Sequence, residues 1–343
     1  MSAKPDGKVQ RPGLLRSRWQ SMIGNSSPTI ALTDGEDPRA IRAASSLREE
    51  GAVVPLLIGR SSEIRRVALA QSVAVPEREN VFDPTSPDST GPLTDQWTDS
   101  WGRAGDKRLS SRPDDSLLAG ALLLRSGHVD ACVGGAGLPT AVVARTAIKT
   151  IGLAPDASIC SSCFLMVLPE GKAITYADCA IVPEPTAEQL AEIAISSART
   201  HELLTGQVPA VAMLSFSSNG SAKHHGVERV RLGTKLARDS AGTLQIDGEL
   251  QFDAAFESRI GSVKAPNSVV AGRANVFIFP SLDAGNIAYK ITERLGGARA
   301  IGPLLLGTAR PFNDLSRGCS DVDIHLVALA SAVQALAGPL QSA

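Results

Sequence analysis

No apolar run in this sequence reaches the ~18 residues that a membrane-spanning helix requires. The basic start, with Lys4, Lys8, Arg11, Arg16 and Arg18, leads only into short apolar pieces, so a signal-peptide core is missing. Neither sign of charge is in surplus: Lys and Arg number 34 against 35 Asp and Glu, for a net charge of -1. That balance excludes a general nucleic-acid binder. No G-x-G-x-x-G turn follows a strand with an acid ~20 residues on, which disfavours a dinucleotide-dependent dehydrogenase. Cysteine is sparse and odd in number, at Cys132, Cys160, Cys163, Cys179 and Cys319. This suits a reducing compartment. Cys160-Ser-Ser-Cys163 has the spacing of a redox pair or a zinc half-site, but no second pair completes a zinc site. It runs into 164-FLMVLP-169 and reads first as two buried thiols at a strand start. His224-His225 reads as a solvated loop pair, and no carboxylate–histidine group suggests a metal. Internal repeats and low-complexity linkers are absent. A soluble, cytoplasmic protein with neither nucleic acid nor membrane as partner is expected.

What is present is core-forming material: 343 residues, 43% of them hydrophobic, enough for two domains or one large α/β unit. Residues 12–24 look helical, with Leu14, Leu15, Trp19, Met22 and Ile23 near one face. Strands are expected at 28–32 and 52–59, flanking a helix that opens at Pro38 and closes at Gly51. This β-α-β order implies a parallel sheet. Residues 76–115 read as loop, with a short helix near 97–102. A helix at 116–127, a strand at 128–135 and a helix at 141–152 follow. Further strands are expected at 164–169, 177–182, 209–216, 274–280 and 301–306, and helices at 186–204, 224–239, 284–297 and 321–336. The expected division is 1–156 with 305–343 as one α/β domain and 157–304 as the other.

Polar chemistry collects after predicted strands. In 313-NDLSRGCSDVDI-324, Ser320 and Asp323 fit an S-x-x-D capping box, a structural role for Asp323. Ser316 and Arg317 have no such role, though Arg317 could also form a surface salt bridge with Asp314 or Asp321. At a strand-to-helix turn, a helix N-terminus and an arginine together favour phosphate or carboxylate. A second turn, 134-GGAGLPT-140, offers glycines for close approach and the free N–H groups of the next helix. Arg145 lies on the first turns of that helix, where a cation opposes the dipole. Thr140 closes the turn. Two arginine-bearing turns suggest a small doubly charged anion such as phosphate. In 283-DAGNIAYK-290, Asn286 and Lys290 share a helical face, which fits either an anion site or an ordinary exposed surface.

Several stretches resemble the phosphate acetyl/butyryltransferase family: 33-TDGEDPRAIRAA-44, 177-ADCAIVPEPTAEQLAEIAI-195, 247-DGELQFDAAF-256, 264–290 and 296-GGARAIGPLLLGTARPFNDLSRGCSDVDI-324. The resemblance is weakest over 60–115. It implies two α/β domains with a cleft between them, mostly parallel sheets of the isocitrate/isopropylmalate dehydrogenase-like kind, and a homodimer. It also implies the reaction acetyl-CoA + phosphate ⇌ acetyl phosphate + CoA, with coenzyme A as substrate, no permanently bound cofactor and no metal. The family's active-site serine, arginine and aspartate map onto Ser316, Arg317 and Asp323, with Asp323 as the base. A family arginine in the helix after the glycine turn maps onto Arg145. Thr140, Asn286 and Lys290 complete the candidate substrate contacts. Three departures stand out. An Arg-Lys-x-Lys-Gly-like stretch is replaced by 101-WGRAGDKRLSSRPDD-115, where Arg103, Lys107 or Arg108 could substitute. The run 181-IVPEPT-186 carries Val182 and Glu184 in place of asparagines, and Cys160 and Cys163 flank a Ser-Ser pair. A propionyl- or butyryl-preferring enzyme and a weakened CoA-binding paralogue are the alternatives. The basic N-terminal stretch reads as a first helix packed on its domain or as a partner-docking segment.

Overall fold

The computed structural model describes residues 12–86 and 116–338. The segment before Pro12, the helix expected near 97–102, and Arg103, Lys107 and Arg108 lie outside the described residues. Strand and helix alternate along the chain: α1 (Pro12–Ile23), β1 (Thr29–Leu32), α2 (Pro38–Glu50), β2 (Val54–Ile58), α3 (Ser61–Ala70), β3 (Val81–Phe82), α4 (Ser116–Arg125), β4 (Ala131–Gly134), α5 (Thr140–Thr150), β5 (Ser161–Val167), β6 (Ala173–Ala177), α6 (Ala187–Thr205), β7 (Ala210–Leu214), α7 (His225–Ser240), β8 (Gln245–Leu250), α8 (Phe252–Phe256), α9 (Ser258–Lys264), β9 (Val276–Ile278), α10 (Leu282–Arg294), β10 (Arg299–Leu306), β11 (Phe312–Asp314) and α11 (Asp321–Ala337). Two α/β units result. One comprises Gln20–Ser162 with Gly302–Ala343; the other comprises Cys163–Ile301 with the segment ending at Trp19. No helix among the described residues is long and apolar enough to cross a membrane.

The first unit is built on a five-stranded sheet in the order β11-β4-β1-β2-β3, with its strand pairs parallel. The chain enters at β1, winds outward through β2 and β3, then returns to the other side of β1 with β4 and β11. Winding therefore reverses between β1 and β4, the place where open parallel sheets receive ligands at their carboxyl ends. β4 is buried at every position and β1 at all but its first, which explains their unbroken apolar sequences. α4 is buried from Leu117 to Leu124 and is accordingly apolar all round. α2 starts where Asp37 accepts the Arg39 N–H (2.7 Å) and Pro38 presets the first turn. It stops at Gly51, whose left-handed φ of 69° lets its N–H reach Leu47 and Arg48 carbonyls.

In the second unit the sheet order is β10-β5-β6-β9-β7-β8. β5 and β6 are antiparallel; β6–β9, β9–β7 and β7–β8 are parallel. Its core is aromatic in part: Tyr176 meets Phe279 edge-on at 5.1 Å, and Phe164 stacks on Tyr289 at 4.1 Å. Trp19 is fully buried and donates to the Leu204 carbonyl at 2.8 Å. α6 begins with a capping box between Thr186 and Gln189.

Three expectations change. The strand expected at 177–182 ends at Ala177, because the Asp178 carboxylate accepts the N–H groups of Ala180 (2.8 Å), Ile181 (3.2 Å) and Val182 (3.0 Å) and removes them from any ladder. The loop expected over 76–115 contains β3, two residues pairing with Leu57 and Ile58. The broad apolar face expected on α1 is a narrow stripe of Leu15, Trp19 and Ile23, with Leu14 and Met22 exposed.

Candidate active site

The site grows from the reversal between β1 and β4. Asp34, just after β1, accepts the Ala136 N–H at 3.1 Å, and the N–H groups of Gly135 and Gly137 also favour its charged form. The glycine turn, read from sequence as a place where a ligand could approach the backbone, is thus approached by a carboxylate of the chain itself. Burial raises the Asp34 pKa and those N–H groups oppose the rise. Glycine is needed here for space. A Cβ on Gly134 would overlap the Thr33 hydroxyl, and one on Gly135, whose φ is 99°, would overlap Asp314.

Beyond that turn α5 begins at Thr140, with no side-chain cap from Pro139. The first N–H groups of such a helix have no intrahelical partner, and the dipole makes them attractive to an anion. The Thr140 hydroxyl donates to Asp314 Oδ2 at 2.5 Å, so its proton is committed to the protein. Arg145 is exposed on α5 and has no hydrogen bond or ion pair among the described residues.

β11 lies beside β4, with Asp314 opposite Gly134, so the turn after β11 emerges at the same sheet edge. Its residues divide the work. Asn313 is buried and ties β11 down: its Oδ1 accepts the Leu305 N–H (2.8 Å), and its Nδ2 donates to Ser331 (2.8 Å) and Gln334 (2.7 Å). Asp314 is fully buried, and burial pushes its pKa up to about 7, opposed by Thr140 and the Leu315 N–H and reinforced by Asp34. Ser316 is half-buried; its Oγ accepts the Gly318 N–H at 3.3 Å, leaving the hydroxyl proton available to donate. Its carbonyl accepts the Cys319 N–H at 2.9 Å, closing the turn. Arg317 is exposed, and its guanidinium has no partner among the described residues. At the start of α11, Asp323 Oδ2 accepts from the Ser320 N–H (2.9 Å) and hydroxyl (2.8 Å), and Ser320 Oγ accepts the Asp323 N–H. The capping box is real, and it fixes the direction of the Asp323 carboxylate.

The Asp314 carboxyl leads to a pH prediction. Between its unfolded value near 3.8 and about 7, the folded chain holds a proton that the unfolded chain has lost. The associated stability is complete below about 4 and lost as pH rises through about 7. Thermal unfolding of wild type and Asp314→Asn from pH 5 to 8 should show the wild type losing stability more steeply, by at most about 1.4 kcal/mol per pH unit. Parallel profiles would refute the buried proton.

The first unit therefore carries Ser316, Arg317, Asp323, Arg145 and Thr140. Asn286 and Lys290 lie on α10 in the second unit. Asn286 Nδ2 donates to the Cys179 carbonyl at 2.9 Å, and Lys290 Nζ donates to the Tyr289 hydroxyl at 2.7 Å. All five cysteines are buried; burial raises the Cys163 and Cys179 thiols well above their usual range, which makes them poor nucleophiles. Sequence reasoning missed Asp34, Asn313 and Asp314. The only signal for them was their place inside the two family-like stretches.

Two adjacent parallel strands, each followed by a helix start and by an arginine with no partner among the described residues, give an α/β protein whose sheet has a carboxyl edge suited to an anion. The chain belongs to the phosphate acetyl/butaryl transferase family, whose profile matches residues 15–332. It is 43% identical over 317 residues to the phosphate acetyltransferase of Acetivibrio thermocellus, covering 90% of this chain and 94% of that one. It is 41% identical to the phosphate acetyltransferase of Thermoanaerobacterium thermosaccharolyticum, covering 89% and 94%. Its fold matches the crystal structure of a phosphotransacetylase from Streptococcus pyogenes with a TM-score of 0.88, at 37% identity, over 96% of this chain and 100% of that one.

Proposed function

We propose that this chain catalyses reversible acetyl transfer between coenzyme A and phosphate, acetyl-CoA + phosphate ⇌ acetyl phosphate + CoA. The observation that carries the reading is the pair Arg317 and Arg145, both exposed, both without a partner among the described residues, on segments that leave neighbouring strands at one sheet edge. Two guanidinium groups suit a dianionic phosphoryl group. In the direction of CoA acylation, Asp323 accepts the proton of the CoA thiol. The sulfur attacks the carbonyl carbon of acetyl phosphate. The Ser316 hydroxyl donates to the carbonyl oxygen as charge develops there. The bond from that carbon to the phosphate oxygen breaks, and phosphate departs in the grip of Arg317 and Arg145. The reverse direction retraces these steps. Thr140 acts by holding Asp314 rather than by contacting phosphate. The substrate contacts of Asn286 and Lys290 rest on their shared face of α10. Coenzyme A is a substrate in this scheme, no cofactor is held permanently, and a cytoplasmic homodimer is the proposed form.

Arsenate provides the test, because an acyl arsenate hydrolyses at once and makes thioester loss irreversible. The purified chain is expected to consume acetyl-CoA only when arsenate or phosphate is supplied, at a rate that a chelator leaves unchanged. No thioester loss would overturn the reading. Acetyl, propionyl and butyryl phosphates offered in turn with CoA should rank in that order of kcat/KM. A butyryl optimum would reassign the acyl pocket within the same family.

A further inference from the structure

We propose that Arg39 is a positioning residue that locks the 316–320 turn to the glycine turn at 134–140, setting where Arg317 and the start of α5 point. The inference rests on the reading of those turns as the acyl-transfer site. Arg39 is the second residue of α2, and its side chain is about one quarter exposed, at 24%. Nη1 donates to the Arg317 carbonyl and to the Cys319 carbonyl, each at 3.0 Å. Nη2 donates to the Ala136 carbonyl at 3.1 Å and to Asp37 Oδ2 at 2.7 Å. Nε donates to Asp37 Oδ1 at 3.0 Å.

A guanidinium has five N–H groups. One at Nε, two at Nη1 and two at Nη2 are all used by these bonds, so none remains for a substrate oxygen. Arg39 therefore acts through the backbone it holds. The carbonyls come from turns that follow different strands, β11 and β4. Asp37, the N-cap of α2, in turn fixes the guanidinium. Lysine has three donors at a single point and cannot span the two turns and Asp37 together. Arg42, farther along α2, adds a weaker tether at 3.2 Å to Asp321, on a pair more than one third exposed. Because Arg317 projects from the clamped turn, release of its backbone would displace the phosphate grip, and a shift of about 1 Å at a reacting group costs ~100-fold in rate.

The test uses Arg39→Ala and Arg39→Lys in the full chain, with acetyl phosphate and CoA as substrates. Both variants are expected to lose at least ~30-fold in kcat, with KM for acetyl phosphate raised about fivefold and KM for CoA within about twofold. Millimolar guanidinium should recover part of the Arg39→Ala rate, and methylammonium should not. Amide hydrogen exchange should quicken in peptides covering 134–140 and 315–320, while peptides over β7 and β9 stay as in wild type. The proposal is overturned by a wild-type kcat in either variant, by full activity in Arg39→Lys, or by a loss that tracks unfolding with no change of exchange in the two turns. Exchange needs no turnover, so the two readings separate. If wild type transfers no acetyl group yet both turns loosen in Arg39→Ala, the clamp stands and the function falls. If wild type turns over and exchange is unchanged, the clamp falls.

Discussion

Arg317→Ala is expected to lower kcat at least ~100-fold while leaving the fold intact. The size follows from what the guanidinium does at the moment of transfer. In the proposed scheme it faces a phosphoryl group that gains charge as the carbon–oxygen bond breaks, and one such preorganised donor is worth ~100-fold or more. The fold should survive because the side chain is exposed and has no partner among the described residues, so its removal strands no buried group. A stability change within about 0.5 kcal/mol is expected by thermal unfolding. Arg317→Lys should recover only part of the rate, since a point charge cannot reproduce a bidentate grip. Steady-state kinetics of the two variants decide it. Full turnover in Arg317→Ala would take this side chain out of the reaction, whatever the fate of its neighbours.

The motif N-D-L-S-R-G shows how far sequence carried and where it stopped. Ser316 and Arg317 could be singled out because the capping box did not explain them, and the structure gives the Ser316 hydroxyl oxygen the Gly318 N–H and leaves the Arg317 guanidinium with no partner among the described residues. Asn313 and Asp314 could not, because their partners are distant in sequence: Leu305, Ser331 and Gln334 for one, Thr140 for the other. The same holds for the glycine turn. Its glycines announced a close approach, but what approaches is Asp34, one strand away. Elements with local signals were legible. α2 has Asp37, Pro38 and Gly51, and α6 and α11 have capping boxes at Thr186 and Ser320. β3 and β11, two and three residues long, are too short to impose a period and exist because a neighbouring strand pairs with them. The 177–182 segment failed for the opposite reason: an apolar pattern was overruled by a single carboxylate that collects three N–H groups.

Asp323 carries two roles on one side chain, and its substitutions separate them. As the third residue of α11 it completes the cap with Ser320; as a carboxylate it is the proposed acceptor of the thiol proton. Asp323→Asn keeps a carbonyl oxygen where Oδ2 accepts from Ser320, so the cap persists, but an amide takes no proton. This variant should stay within about 0.5 kcal/mol of wild-type stability and lose at least ~100-fold in kcat. Asp323→Ala should lose the same activity and about 1 kcal/mol of stability, because the Ser320 N–H is left without its acceptor. The cap is thus read from the difference in unfolding between the two variants, and the base from the loss of turnover they share. Asparagine with near wild-type turnover, beside an alanine variant that is merely less stable, would make Asp323 a helix cap alone and leave the thiol proton to another acceptor.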